Sequence, residues 1–123
     1  MNYSINEAAR KFGLSAHTLR FYDKEGLLPF VGRDKSGNRV FTDQDLDWLA
    51  MICCLKDTGM PIKEMKRYAD WCKEGLKTID ERKAMLADHR QHVVRQIEEW
   101  KKNLERIDTK IAIYENPELA RKL

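Results

Sequence analysis

Thiol and imidazole side chains have the widest range of chemistry in this sequence. They are Cys53, Cys54, Cys72, His17, His89 and His92. A thiol enzyme needs a general base beside its cysteine, and none of these spacings predicts such a pair, so we do not expect catalysis. His89 and His92 are three residues apart and could share one ion. The sequence offers no third ligand, so no metal or other cofactor is predicted.

The cysteines also indicate where the protein works. Their number is odd, their spacing is unpaired, and the N-terminus has neither a basic leader nor a long apolar run. These features argue against a disulfide framework and predict reduced thiols in a cytoplasmic protein. On a helix Cys53 falls in line with Leu49 and is interpreted as a packing residue. Cys54 falls in line with Asp47, and is either a reactive thiol or a second packing residue.

The placement of charged residues matters more than their sum. The chain has 123 residues, of which 35% are charged, and a formal net charge of +3. This length allows one modest core plus an accessory element. So small a net charge does not by itself indicate a nucleic-acid partner. Any DNA contact therefore depends on basic residues held at particular surfaces.

Residues 4–22 predict two short helices joined by a tight turn. Ser4 and Glu7 have the spacing of a capping box, Gly13 can end the first helix, and Ser15 caps the second. The apolar spacing turns Leu19 and Phe21 inward. The same spacing places four side chains on the solvent side of the helix, namely His17, Thr18, Arg20 and Tyr22. Such a pair is typical of a helix-turn-helix, whose second helix enters the DNA major groove, although capped helix pairs also occur in proteins that bind no DNA.

Residues 33–41 predict a hairpin with a polar turn, which would form a wing beside the two helices. Its cations are Arg33, Lys35 and Arg39. A hairpin in this place provides a second surface for the phosphate backbone, so we expect the three cations to contact it. Beyond the wing, a capping arrangement at Thr42 predicts a helix over residues 43–57, and Pro61 opens another in its first turn. A capping box at Thr78 opens a third helix.

The helix that begins after Thr78 is predicted to be long, because no glycine or proline occurs before Tyr114. Its apolar residues alternate steps of four and three, the heptad pattern of a coiled coil. This seam consists of Val93, Ile97, Trp100, Leu104, Ile107 and Ile111. One helix alone cannot bury it, so a homodimer is predicted. The expected organisation is a DNA-binding domain at 1–75, a dimerisation helix at 78–116 and a short tail at 117–123.

The order of these motifs resembles the MerR family of transcription regulators. The resemblance is carried by TLRFYDKEGLL, a wing of the form R-x-x-x-G-x-R-x-F, TDQDLDWL and G-x-P-I-K-E-M, across roughly the first seventy residues. Family proteins usually read LRYY and GYRxY at these places, where this chain has Phe21 and Asn38. The resemblance implies a mainly α fold, a winged helix-turn-helix domain followed by an antiparallel coiled coil, that binds double-stranded promoter DNA.

The resemblance also implies site residues and a mechanism. It adds Lys63, otherwise interpreted as a solvated surface lysine, as a candidate phosphate contact. The candidate DNA contacts are then Ser15, His17, Thr18, Arg20, Tyr22, Arg33, Lys35, Arg39 and Lys63. MerR-like regulators bend and untwist promoters whose −35 and −10 elements are too far apart, so RNA polymerase would be affected indirectly, through the promoter.

Three stretches resemble the small aldehyde- and electrophile-responsive branch of that family. They are ICCLKDTGM, ERKAMLADHRQ and LERIDTKI-x-x-YE. The branch is implied to sense its effector at the position of Cys54. Metal sensing in the family needs cysteines at both ends of the long helix, and none follows it here. A metal-responsive or effector-independent regulator stays an alternative, as does a coiled-coil scaffold whose head binds protein.

Overall fold

The computed structural model describes residues 1–121, which form two compact units, Met1–Met85 and a second that begins at Leu86. In chain order the elements are β1 (Asn2–Ser4), α1 (Ile5–Lys11), α2 (Ala16–Lys24), β2 (Gly32–Arg33), β3 (Arg39–Thr42), α3 (Asp43–Asp57), α4 (Ile62–Lys73), α5 (Ile79–Tyr114) and α6 (Pro117–Ala120). A short 3₁₀ helix, Gly75–Thr78, precedes α5. The protein is therefore mainly α, as predicted.

Capping hydrogen bonds explain where α1 and α2 begin. The Ser4 hydroxyl accepts from the Glu7 amide at 3.1 Å, and the Glu7 carboxylate accepts from the Ser4 amide at 3.0 Å. The Ser15 hydroxyl accepts from the Thr18 amide at 3.1 Å. Between the helices Gly13 has a φ of 66°, a conformation that costs glycine nothing but strains other residues. The predicted helix, turn and second helix are confirmed.

A three-stranded antiparallel sheet forms the wing and joins it to the N-terminus. The strand order is β1-β3-β2, so that β3 is central. Asp34 holds the hairpin turn, because its Oδ1 accepts from the amides of Ser36 and Asn38 at 2.9 and 3.0 Å. The sequence predicts this hairpin but not β1, which pairs Tyr3 with Phe41. A three-residue strand gives too short a pattern to recognise.

The core of Met1–Met85 takes an apolar stripe from each of its helices and one side chain from β3. The largest fully buried side chains are Tyr22, Phe41, Leu19, Leu27, Leu28, Leu49, Ile52, Leu55 and Met65. Burying one such side chain stabilises the fold by roughly 2 kcal/mol. The wing and α1–α4 thus share one packed support, which determines the side chains that α2 leaves on the surface.

Two predicted helix starts differ from the structure. Pro61 is the extended N-cap of α4, which begins at Ile62, so it lies just outside the first turn. Thr78 is buried at the end of the 3₁₀ helix, and its hydroxyl donates to the Trp71 carbonyl at 2.5 Å. The hydroxyl therefore ties the connection back to α4, and the predicted capping box at the start of α5 is wrong.

From Leu86 onward, the described chain consists of the remainder of α5 and then α6. The whole of α5 has 36 residues, which corresponds to about 54 Å. Five residues of its predicted seam are between 49% and 76% exposed, namely Ile97, Trp100, Leu104, Ile107 and Ile111. The last two residues of the predicted tail, 122 and 123, lie outside the described residues. Among residues 1–121, no helix combines the length and the apolar character needed to cross a membrane.

Candidate nucleic-acid interface

Four side chains of α2 stay outside the core and share one face of the helix. They are His17, Arg20, Phe21 and Lys24, all exposed. Their spacing of three, four and seven residues puts them on adjacent turns of one side. This surface, called here the α2 strip, combines two permanent cations, an imidazole and an aromatic ring. Its charge suits a polyanion. Sequence reasoning missed Lys24, although its place one turn beyond Arg20 was a usable signal.

The orientation predicted for two aromatic residues of α2 is wrong. Tyr22 was expected outside and Phe21 inside, whereas Tyr22 is 1% exposed and Phe21 is 43% exposed. Burial, which disfavours the phenolate, raises the pKa of the Tyr22 hydroxyl above its ordinary value. Tyr22 therefore supports α2 from within the core, and its ring does not lie on the candidate interface. Phe21 takes the surface position instead.

Ser15 and Thr18 are engaged with each other at the start of α2. The Ser15 hydroxyl accepts a hydrogen bond from the Thr18 amide and also lies within hydrogen-bond distance, 3.0 Å, of the Thr18 hydroxyl. These bonds hold the first turn of the helix in place. Both residues therefore help to fix the start of the helix that carries the α2 strip. Their predicted DNA contacts stay predictions.

A bidentate ion pair connects the wing to α2. Arg39 donates from Nε to one oxygen of Asp23 at 2.9 Å and from Nη2 to the other at 2.6 Å. Its remaining Nη1 donates to the Val31 carbonyl. The two charged side chains are only 22% and 19% exposed. Arg39, predicted as a wing contact for DNA, is thus committed to a clamp between the wing and α2, here named the Asp23–Arg39 clamp.

The other predicted wing cations are more available. Arg33 donates from Nη1 to the Gly37 carbonyl at 2.6 Å, and its Nη2 lies 3.8 Å from Asp23. Lys35 is exposed in the hairpin turn. Between the wing and α2 lies an open hollow of about 660 Å³, and Arg20 and Arg33 are both among its lining residues. Two guanidinium groups suit an anionic group such as a phosphate, although Asp23 and Asp34 also line the hollow and add two carboxylates to it.

Lys63 lies in the first turn of α4, on a different element from the strip and the wing. It is exposed. The positive end of the α4 dipole adds to its charge, which makes the position favourable for an anion. The phosphate contact that the family resemblance implies for Lys63 stays a prediction.

The three thiols have different surroundings. Cys54 is exposed, whereas Cys53 and Cys72 are half-buried. Burial, followed by the nearby Asp57 carboxylate, raises the pKa of Cys53 and so disfavours its thiolate. The Cys72 sulfur lies 3.7 Å from Nη1 of Arg82. Over residues 1–121, no three His, Cys, Asp or Glu side chains cluster in a way that could hold a metal ion.

Comparison with known families identifies two matching regions. Residues 3–71 match a family model described as MerR HTH family regulatory protein. Residues 46–112 match a second model, described as MerR, DNA binding. Together the two models span α1–α4, the wing and most of α5.

Curated relatives are similar over most of the chain. An uncharacterized HTH-type transcriptional regulator of Haemophilus influenzae is 50% identical over 115 residues, which cover 94% of this chain and 85% of that protein. The HTH-type transcriptional regulator AdhR of Bacillus subtilis is 38% identical over 91 residues, 74% of this chain and 65% of AdhR.

Solved structures share the fold. HiNmlR, described as a MerR family regulator lacking the sensor domain and solved bound to promoter DNA, is 49% identical with a TM-score of 0.86 and covers 96% of this chain and 94% of its own. A putative MerR family transcriptional regulator from Listeria monocytogenes is 31% identical, also with a TM-score of 0.86, and covers 98% and 91%.

Proposed function

The chain belongs to the MerR HTH family of regulatory proteins, which are DNA-binding transcription regulators. From that premise we propose that it acts as a homodimer that distorts a promoter in response to a reactive small molecule. The observation that carries the proposal is the α2 strip, a cationic face fixed by the core beside a wing that the Asp23–Arg39 clamp holds to the same helix. Such an arrangement presents one helix to the major groove and the wing to the flanking backbone. DNA in the cytoplasm is the proposed partner.

We propose that the exposed seam of α5 is buried against a second copy of the chain. Five apolar side chains at heptad spacing, each about half or more exposed, form a patch that an isolated helix cannot stabilise in water. A twofold dimer would present two copies of α2 to a pseudo-palindromic operator. The division into a DNA-binding domain at 1–75, a dimerisation helix at 78–116 and a tail at 117–123 belongs to this proposal, as does the antiparallel direction of the coil.

Promoter distortion is the proposed mode of regulation. The α2 strip offers only a few side chains to base edges, whereas the remaining cations suit phosphates. A protein with so little direct readout gains specificity from the deformability of its site. RNA polymerase would then respond to the altered promoter geometry, and its involvement is indirect.

Cys54 is the proposed entry point of the signal. It is the exposed thiol of the three, while burial holds the Cys53 pKa above its ordinary value. A thiol adds to an aldehyde by forming one sulfur–carbon bond to the carbonyl carbon, and its proton moves to the carbonyl oxygen, so no oxidant is required. The adduct would enlarge and polarise a side chain in the last turn of α3.

The first test concerns DNA binding itself. Arg20→Ala is expected to lower operator affinity about tenfold or more and to reduce the salt slope by about one for each half-site, because each protomer loses one cation that neutralises a phosphate. Binding isotherms from 50 to 200 mM salt measure both quantities. Lys73→Ala is the matched control, since it removes a cation of α4 that pairs with Asp70 and lies outside the α2 strip. A protein-binding scaffold would show no steep salt slope and no difference between the two variants.

The second test concerns the thiol. In transcription from the neighbouring promoter, wild type is expected to respond to a reactive aldehyde and Cys54→Ser is not, because serine oxygen is a much weaker nucleophile at neutral pH. Cys53→Ser and Cys72→Ser are matched controls that should keep the response. Footprinting in both states should show a change in promoter twist that follows transcription. Equal responses from wild type and Cys54→Ser, or a footprint without any change in DNA geometry, contradict this part of the proposal.

A further inference from the structure

Phe21 is an apolar ring in the middle of a cationic surface. It is 43% exposed, and its neighbours on the α2 strip are His17, Arg20 and Lys24. Within the protein the ring packs at a tilt against Tyr22, with centroids 6.3 Å apart. The rest of the ring accounts for the apolar surface that the residue exposes on the α2 strip.

The chemistry of the ring restricts what it can recognise in DNA. Phenylalanine neither donates nor accepts a hydrogen bond, so it gains nothing from phosphates or from the polar base edges. The major groove exposes one protruding apolar group, the C5 methyl of thymine. If α2 enters the groove, a ring next to Arg20 would be placed to meet that group on the base edge, while the charged side chains around it suit the backbone.

We propose that Phe21 determines part of the sequence specificity by packing on the C5 methyl group of one thymine in each half-site. The inference rests on the proposed function, since it requires α2 to enter the major groove. A second exposed ring in the same unit provides a comparison. Phe30 is 51% exposed, but it belongs to the loop after α2 and packs edge-on against Trp48, with centroids 5.6 Å apart and planes at 87°. Phe30 is therefore exposed without belonging to the α2 strip.

The competing contact for Phe21 is the deoxyribose of the backbone, which is also apolar. The two contacts respond differently to one chemical change. Replacing thymidine by deoxyuridine removes the C5 methyl group and leaves the sugar, the phosphate and the base pairing as they were. Methyl recognition is lost in deoxyuridine, while sugar packing is retained.

The experiment begins with an operator selected in vitro by the wild-type protein from random duplex DNA. Affinities are then measured for wild type, Phe21→Ala and Phe30→Ala on this operator and on copies in which single thymidines are replaced by deoxyuridine in both half-sites. At one thymine position wild type is expected to bind the substituted operator about fourfold more weakly per half-site, the effect of one buried methyl group. Phe30→Ala should show the same ratio.

Phe21→Ala is the decisive variant. It should bind both operators with equal affinity, and because the side chain is exposed, its melting temperature should stay close to that of wild type. Three results would overturn the inference: a selected half-site without an invariant thymine, no sensitivity of wild type to deoxyuridine at any position, or undiminished sensitivity in Phe21→Ala. Failure of wild type to select any sequence would overturn the proposed function, and this inference with it.

Discussion

Alanine at both Trp100 and Leu104 is expected to convert the protein into monomers and to weaken operator binding at least 100-fold. The two side chains are 76% and 56% exposed in a single chain, and a coil would bury four of them per dimer. At about 2 kcal/mol for each truncation, the dimer loses roughly 8 kcal/mol, enough to turn nanomolar association into millimolar. A monomer engages one half-site only, and the gain from linking two binding modules is lost.

Sedimentation and binding to one- and two-half-site DNA measure this effect. Glu98→Ala with Lys102→Ala is the matched control, because both residues are exposed, share the i, i+4 spacing, leave the net charge unchanged and occupy outward positions of the heptad. The control should stay dimeric with normal operator affinity. A Trp100→Ala/Leu104→Ala variant that still sediments as a dimer would falsify the seam assignment.

Removing the Asp23 carboxylate is expected to destabilise the protein by about 2 kcal/mol, which corresponds to a fall in Tm of roughly 10 °C. Asp23→Ala leaves the guanidinium of Arg39 largely buried, without the two oxygens that accept from it at 2.9 and 2.6 Å. It also frees the wing from α2, so operator affinity should fall about tenfold even though a negative charge has been removed. Thermal unfolding and operator titration measure the two effects.

Asp70→Ala controls for the change in charge. Asp70 pairs with Lys66 at 2.6 Å and with Lys73 at 3.3 Å, and these side chains are 41% to 49% exposed. Exposed pairs contribute at most about 1 kcal/mol, because solvent screens them. The control should therefore melt within a few degrees of wild type and bind DNA at least as well. Equal losses in the two variants would mean that the Asp23–Arg39 clamp has no special role.

Local signals were sufficient to predict most of the architecture. Ser4, Ser15 and Thr42 each accept the amide three residues onward, as their spacing predicts, and the helix after Thr42 runs to Asp57 as expected. These features depend on atoms a few residues apart, so a short sequence pattern is enough to predict them where no tertiary contact competes. The uninterrupted helix α5, Ile79–Tyr114, follows from an equally local signal, the absence of glycine and proline.

Features that depend on distant residues could not be predicted. The rotation of the nine-residue α2 is set by what it packs on, so a short periodicity placed Tyr22 and Phe21 on the wrong sides. The partner of Arg39 lies 16 residues away, and nothing near Arg39 in the chain distinguishes a clamp from a phosphate contact. The residues after Thr78 have the pattern of a capping box, but its hydroxyl donates instead to the carbonyl of Trp71, seven residues earlier in the chain.

Thr42 restricts the backbone at the junction between the wing and α3. It is the last residue of β3 and also the N-cap of α3. Its amide donates to the Asp45 carboxylate at 2.9 Å, while its hydroxyl accepts from the Asp45 amide at 3.1 Å. A hinge needs residues that are free to change φ and ψ. At this junction both the amide and the hydroxyl of Thr42 are hydrogen-bonded to Asp45. The chain therefore passes from the wing strand β3 into α3 without a flexible linker, and this junction lacks the conformational freedom of a hinge.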